Sequence, residues 1–240
     1  MQLQFFSAAF LAVTSFYIST PAAAQDQPCV GETIITTAEV TTSYGAAYRV
    51  ETYYRSPSEI AARFITETPA LMVTEGPFVW TQTNDGAALG GEDERRFILG
   101  HQFHALAFDF DTIMTDVTER DDIPFQGELH AGRKGVYPQG GAAAVILGDD
   151  DKPVGLILSL PEETPIKVAY SDWRETASGR AAPYAATITH KGNTYSYRYD
   201  EISFSSGGRE AFQNRYPAPP LEQVAEFRAG ADKCPAANNE

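Results

Sequence analysis

"RRFILGHQFHALAFDFD", residues 95–111, decides how the rest of the chain folds. It carries four of the fourteen phenylalanines (Phe97, Phe103, Phe108 and Phe110), two of the four histidines and two aspartates. Phe97, His101, His104 and Phe108 fall at helical spacing, and so do Leu99, Phe103, Leu106 and Phe110. Two glycines and then acids, "GGEDE", precede it. Acidic residues favour a helix N-terminus because the macrodipole is positive there. The spacing predicts a helix from about Glu92 to Phe108, since "ALAFDFD" begins to alternate at its end.

On both sides of this helix the sequence reads as β. In "AYRVETYYR" (47–55), Tyr48, Val50, Thr52 and Tyr54 share one face, and Arg49, Glu51 and Arg55 share the other. In "EIAARFITE" (59–67), Ile60, Ala62 and Phe64 point one way, Arg63 and Glu67 the other. This is the pattern of antiparallel strands with one buried face. Two more strands follow in "ALMVTEGPFVWTQTNDG", hinged at Glu75-Gly76-Pro77. A second β block opens near Leu129 and includes "AAAVILGDDDKPVGLILSL", "IKVAYSDWRE", "AAPYAATITHKGN" and "TYSYRYDEISF". Lys191-Gly192-Asn193 is a hairpin tip. Tyr195, Tyr197 and Tyr199 stand at i, i+2 and i+4, so they form either a face packed on the sheet or the wall of an amphipathic pocket. A second helix fits at 118–125 or near 210–228.

The N-terminal 25 residues carry no charged side chain, and "FFSAAFLAVTSFYI" serves as the apolar stretch of a signal peptide. Ala22 and Ala24 satisfy the small-x-small rule, which places cleavage after Ala24 and the mature chain in the periplasm. An uncleaved anchor is the competing reading. Removing 24 of the 240 residues leaves 216, the length of one domain. Cys29 and Cys234 lie near the two ends of that mature chain, and an oxidising compartment favours a disulfide between them. Chain entropy gives such a long loop closure a stabilisation of up to about 5 kcal/mol.

Eighteen Lys and Arg against 32 Asp and Glu give a net charge of −14. That excludes nucleic acid as a partner, since phosphates call for a basic surface. It also opposes electrostatic binding to anionic headgroups.

Catalytic patterns are absent. There is no Gly-x-Ser-x-Gly elbow, no phosphate loop and no H-E-x-x-H. His101 and His104 share a helix face and could hold one metal if other ligands joined them. The competing reading makes them polar anchors whose rings pack and whose nitrogens bond carbonyls. We therefore expect no enzyme, no cofactor and no metal. What remains is an excess of aromatic and apolar side chains on a sheet beside a phenylalanine-rich helix, the makings of an elongated apolar pocket.

The stretch "ARFITETPALMVTEGPFVWTQTNDG" (62–86) resembles the strand–turn–strand signature of the outer-membrane lipoprotein-sorting (LolA/LolB-like) superfamily, with "EGPFVW" (75–80) at its tryptophan. "RRFILGHQFHAL" stands where that family inserts a helix, and "DWRETASGRAAPYAATITHKGNTYSYRYDEISF" (172–204) resembles its last strands. The resemblance implies a mainly β (α+β) fold, a half-open antiparallel β-barrel with an inserted helix covering the concave face. The resemblance covers 46–204, the half-barrel; with the leader and cysteines read above, the divisions are 1–24 signal peptide, 25–45 N-terminal segment, 46–204 half-barrel, and 205–240 a C-terminal extension tied back by Cys234. It also implies a soluble, monomeric, non-catalytic carrier for a lipid, an acyl chain or a lipoprotein, with at most a transient envelope-protein partner. The alternatives are an envelope sensor or regulatory protein on the same fold, or a metal-dependent enzyme using the His101/His104 pair. The expected cavity residues are Phe64, Met72, Phe78, Trp80, Phe97, Phe103 and Leu106, with His101 and His104 as polar anchors.

Overall fold

Period-two alternation builds one sheet. The computed structural model describes residues 30–56, 58–137 and 140–230. Six strands come first: β1 (Val30–Thr42), β2 (Ala47–Ser56), β3 (Glu59–Ile65), β4 (Ala70–Glu75), β5 (Phe78–Thr83) and β6 (Gly86–Leu89). Two helices follow, α1 (Glu92–Gly100) and α2 (Phe103–Ile113). Seven further strands are β7 (Thr115–Phe125), β8 (Glu128–Val136), β9 (Ala142–Leu147), β10 (Pro153–Ser159), β11 (Ile166–Glu175), β12 (Ala181–His190) and β13 (Asn193–Gly208). Two helices, α3 (Arg209–Arg215) and α4 (Glu222–Gly230), complete the described chain.

All strand pairs are antiparallel, in the order β6-β5-β4-β3-β2-β1-β13-β12-β11-β10-β9-β8-β7. Each strand neighbours its sequence successor except β6, whose successor β7 lies at the opposite edge, and at the centre β1 meets β13. The two edges, β6 and β7, do not pair, so the barrel stays open. The α1–α2 segment connects those edges and covers the concave face. A register shift in the β1–β13 pair, between Thr37 and Ala38, adds the local twist that curls the sheet.

The mainly β, half-open architecture is the expected one. Three details differ. Residues 30–42, read as a segment before the half-barrel, form β1 at the centre of the sheet. Their threonines sit on both faces, which blurs the alternation. Residues 118–125, a candidate helix, belong to the edge strand β7, so the second β block opens at Thr115 rather than near Leu129. Backbone pairing with β8 overrides the local charge pattern there. The single helix ending near Phe108 is two helices that run on to Ile113.

The helical segment follows its chemistry closely. Glu92, Asp93 and Glu94 occupy the first turn of α1, and the Glu94 carboxylate accepts the Gly91 N–H at 2.8 Å. At Gly100–Gln102 the chain tightens into i→i+3 bonds, His101 N–H to the Ile98 carbonyl and Gln102 N–H to that of Leu99. Gly100 lies against Ile166, and a Cβ there would come within 3.0 Å of the Ile166 side chain. α2 is buried nearly all round, at Phe103, His104, Ala105, Leu106, Ala107, Phe110 and Ile113. The Tyr137 hydroxyl donates to Gln102 Oε1 at 2.8 Å and the Tyr170 hydroxyl to the Phe103 carbonyl, so the joint between the helices is fastened to the sheet. Farther along, the Arg180 guanidinium lies over the Phe108 and Phe204 rings, at 5.1 and 4.5 Å, and bonds Asp109 and Glu32.

The convex face has its own core. Tyr53, Ala61, Val73 and Trp80 of β2–β5 pack against Phe212 and Tyr216 of α3 and its end and against Val224 of α4. Gly76 permits the closest approach: its φ is +56°, and a Cβ there would lie 2.2 Å from the Phe227 ring. Two buried carboxylates pin the helices. Glu59 binds Arg55 and Arg209, and Glu75 binds Arg228 and Gln213. Cys29, Cys234 and the leader 1–24 lie outside the described residues.

Candidate functional site

A pocket of about 370 Å³ opens between α1 and the concave face. That is within the ~300–1,000 Å³ of typical small-molecule sites. Its apolar wall comes from Phe97 and Phe103 of the helices, Tyr48 of β2, Ile166 of β11, Ile188 of β12, and Tyr195 and Tyr197 of β13. The tyrosine ladder is thus a pocket wall at its first two rungs, while Tyr199 lies in the same core outside the pocket.

Aromatic rings frame the mouth. Phe97 remains 49% exposed although apolar, and its ring lies 4.6 Å from His101 and 5.9 Å from Phe64. Phe64 also meets Tyr48 and His101, at 6.0 and 5.6 Å. One side of the pocket is charged. Asp93 and Arg96 reach it from α1, Glu163 from the β10–β11 loop, and His190 and Lys191 from the β12–β13 hairpin tip. Lys191 Nζ is 2.7 Å from the Glu163 carboxylate, His190 Nε2 3.6 Å and Arg96 Nε 3.8 Å. Lys191 first, then His190 and Arg96, hold the Glu163 carboxyl below its ordinary value.

Of the expected cavity residues, Phe97, Phe103 and His101 line this pocket, and Phe64 stands beside it. Met72 packs on the same side of the sheet, and Leu106 is fully buried in the core beneath α2. Phe78 and Trp80 face the opposite way. Trp80 is completely buried in the convex core, and Phe78 meets Phe227 of α4 at 5.8 Å. Val79, between them, takes the concave side. Both faces of β5 are covered there, so its alternation carried no sign of which side was which.

The two histidines part company at the helix break. His101 Nδ1 lies 3.0 Å from the Phe97 carbonyl. Burial lowers its pKa, and that bond opposes the shift. His104 is 3% exposed, packs edge-on against Phe103, and has no hydrogen-bond partner at either ring nitrogen among the described residues. Burial, with the nearby His101 adding to it, pushes its pKa down to about 3, so the ring is neutral. Among the described residues no group of three or more His, Cys, Asp or Glu side chains is placed to hold a metal ion.

Leu160, Ile166, Ile188 and the charged rim of Arg96, Glu163 and Lys191 were not foreseen as site residues. Only the position of Lys191, at the tip of the hairpin that carries the tyrosine ladder, pointed toward it. Among the described residues no helix is long and apolar enough to cross a membrane.

No family model and no curated protein matches this chain. Solved structures do match. An outer membrane lipoprotein-sorting protein domain from Vibrio parahaemolyticus is 11% identical, with a TM-score of 0.51 over 77% of this chain and 90% of its own. A LolA superfamily protein from Nitrosomonas europaea is 9% identical, with a TM-score of 0.53 over 79% of this chain and 93% of its own. At such identity the likeness is one of fold. The open sheet and its helical cover are the fold that these two solved structures share with this chain.

Proposed function

We propose that this protein is a soluble periplasmic carrier that shelters an acyl chain of a lipid or lipoprotein, without catalysis or cofactor. The observation that carries this reading is the apolar pocket under α1, open at Phe97. Phe97, Phe103, Ile166, Ile188 and Tyr197 offer an acyl chain contact on several sides. The hydrophobic effect supplies about 25 cal/mol for each Å² of apolar surface removed from water. The mouth has the aromatic character of a surface that admits a chain and shields it. Phe64 and Met72 extend the apolar surface around it, and His101 fixes the end of α1.

The uncharged, apolar stretch at the N-terminus supports the same reading. In this proposal the leader 1–24 is removed after Ala24, residues 30–230 work as one unit, and a Cys29–Cys234 disulfide ties the ends of the mature chain. The protein acts as a monomer, with a transient envelope partner at delivery. The lipoprotein-sorting name of the Vibrio parahaemolyticus domain agrees with this role.

The test is native mass spectrometry of protein taken from its own envelope, followed by identification of any co-purifying lipid. A bound lipid should raise stability by about 2.7 kcal/mol at a hundredfold excess over its dissociation constant. Absence of lipid, together with no thermal shift on adding fatty acids or acylated peptides, refutes the carrier role and leaves the sensor.

A further inference from the structure

We infer that the pocket selects a single-chain amphiphile with an anionic headgroup, which replaces the Glu163 carboxylate among Lys191, His190 and Arg96. The inference rests on the acyl-chain reading above and adds the class of ligand.

Size argues for one chain. A volume of about 370 Å³ is roughly a dozen water volumes at ~30 Å³ each. A methylene group occupies about as much space as a water, so one medium-length chain fits and several do not.

Charge argues for the headgroup. The apolar wall gives way on one side, where Arg96 of α1 and the adjacent His190 and Lys191 of the β12–β13 hairpin converge on the Glu163 carboxylate. Glu163 is anchored on a loop, its side chain 18% exposed, and it belongs to the protein rather than to any ligand. It shows where the fold stabilises negative charge. Its own geometry is incomplete. At 3.6 and 3.8 Å, His190 Nε2 and Arg96 Nε are too far for hydrogen bonds, and both are buried without a partner among the described residues. Both nitrogens are sealed from solvent, so a headgroup arriving on a chain from inside the pocket meets them by taking the place of the Glu163 carboxylate. Asp93, which also lines the pocket, and Glu162 pair with Arg96 at 2.7 and 3.5 Å; their side chains are 88% and 85% exposed, which weakens their hold on it and leaves Lys191 as the main attraction for an anion. A carboxylate and a phosphate monoester share the required chemistry.

Titration calorimetry on the purified protein decides the matter with laurate and dodecyl phosphate below their micellar concentrations and dodecanol below its solubility limit. At least one anion should bind tenfold or more tightly than the alcohol, and the tighter of the two names the headgroup. Lys191→Gln should shrink that ratio severalfold. Glu163→Gln, which removes the resident carboxylate's charge, should enlarge it severalfold. Lys191 is exposed at a hairpin tip, so its replacement leaves folding intact even if an Arg96 variant does not fold. Equal affinity for all three heads overturns the headgroup assignment and leaves the acyl-chain reading standing. A ratio that falls in Glu163→Gln also overturns it, since Glu163 would then assist the anion. Failure of all three to bind overturns both.

Discussion

Glu59 and Glu75 occupy the same rung of the β3–β4 ladder, and both side chains are buried. Like charges directly opposite each other destabilise a sheet. Here cations from the C-terminal helices compensate: Arg209 Nε lies 2.8 Å from Glu59, and Arg228 grips both oxygens of Glu75 at 2.6–2.9 Å. Arg228→Ala should lower the unfolding free energy by about 3–5 kcal/mol, the usual cost of stranding a buried charge. Arg209→Ala should cost less, because Arg55 still pairs with Glu59. Urea titrations measure both. A loss below about 1 kcal/mol for Arg228→Ala would mean that the C-terminal helix is dispensable.

His104 makes stability depend on pH. Its folded pKa of about 3 lies below the ordinary 6.5, so the unfolded chain takes up the proton first as pH falls. The stabilisation is complete above pH 6.5 and is lost progressively down to about pH 3. Between about pH 7 and pH 5 the loss is about 2 kcal/mol at ~1.4 kcal/mol per pH unit. His101 acts in the same direction. His104→Leu should flatten this dependence and leave stability near neutral pH equal or higher, since it removes two unpartnered nitrogens. Denaturation midpoints at the two pH values give the answer, and an unchanged slope would rule out His104 as the source.

Phe97 and Phe103 should separate binding from folding. Phe97 is half exposed, so Phe97→Ala should change stability by less than about 1 kcal/mol. It should weaken laurate binding about tenfold, which corresponds to ~1.4 kcal/mol. Phe103 is buried in the main core, and Phe103→Ala should cost about 3–5 kcal/mol in stability. Equal effects of the two on unfolding would contradict this division.

Trp80 offers the converse test. It lies in the convex core, across the sheet from the pocket. Trp80→Phe should lower stability by about 1–2 kcal/mol and keep laurate affinity within about twofold. A large loss of affinity would place Trp80 in the ligand's path.

How much of this was legible in the sequence follows from which faces are covered. β2 and β3 read correctly because charged residues such as Arg49 and Arg63 alternate with a plainly apolar concave face. β5 did not, because α3 and α4 bury its convex side too, and Phe78 and Trp80 look like any other core residues. The helix break at Gly100–Gln102 was hidden because one tight turn still leaves His101 and His104 three residues apart, so the apolar spacing continues through it. The charged rim could not be read locally. Arg96, Glu163 and Lys191 meet only through tertiary structure, from stretches that look individually like solvated loops and a helix surface.

The central β1–β13 pairing has a consequence for how the site comes into being. Hairpins between sequence neighbours can assemble β1–β6 and β7–β13 as two separate meanders, since local contacts form at little entropic cost. The one pairing between the two meanders is that of β1 with β13, which brings together residues such as Val40 and Tyr197. The pocket straddles that seam: Tyr48 belongs to the first meander, Ile166, Ile188 and Tyr197 to the second, and Phe97 to the segment between. Neither half contains a binding site of its own. An occupant would therefore act as a staple across the seam, favouring the joined state of the two halves and slowing their separation.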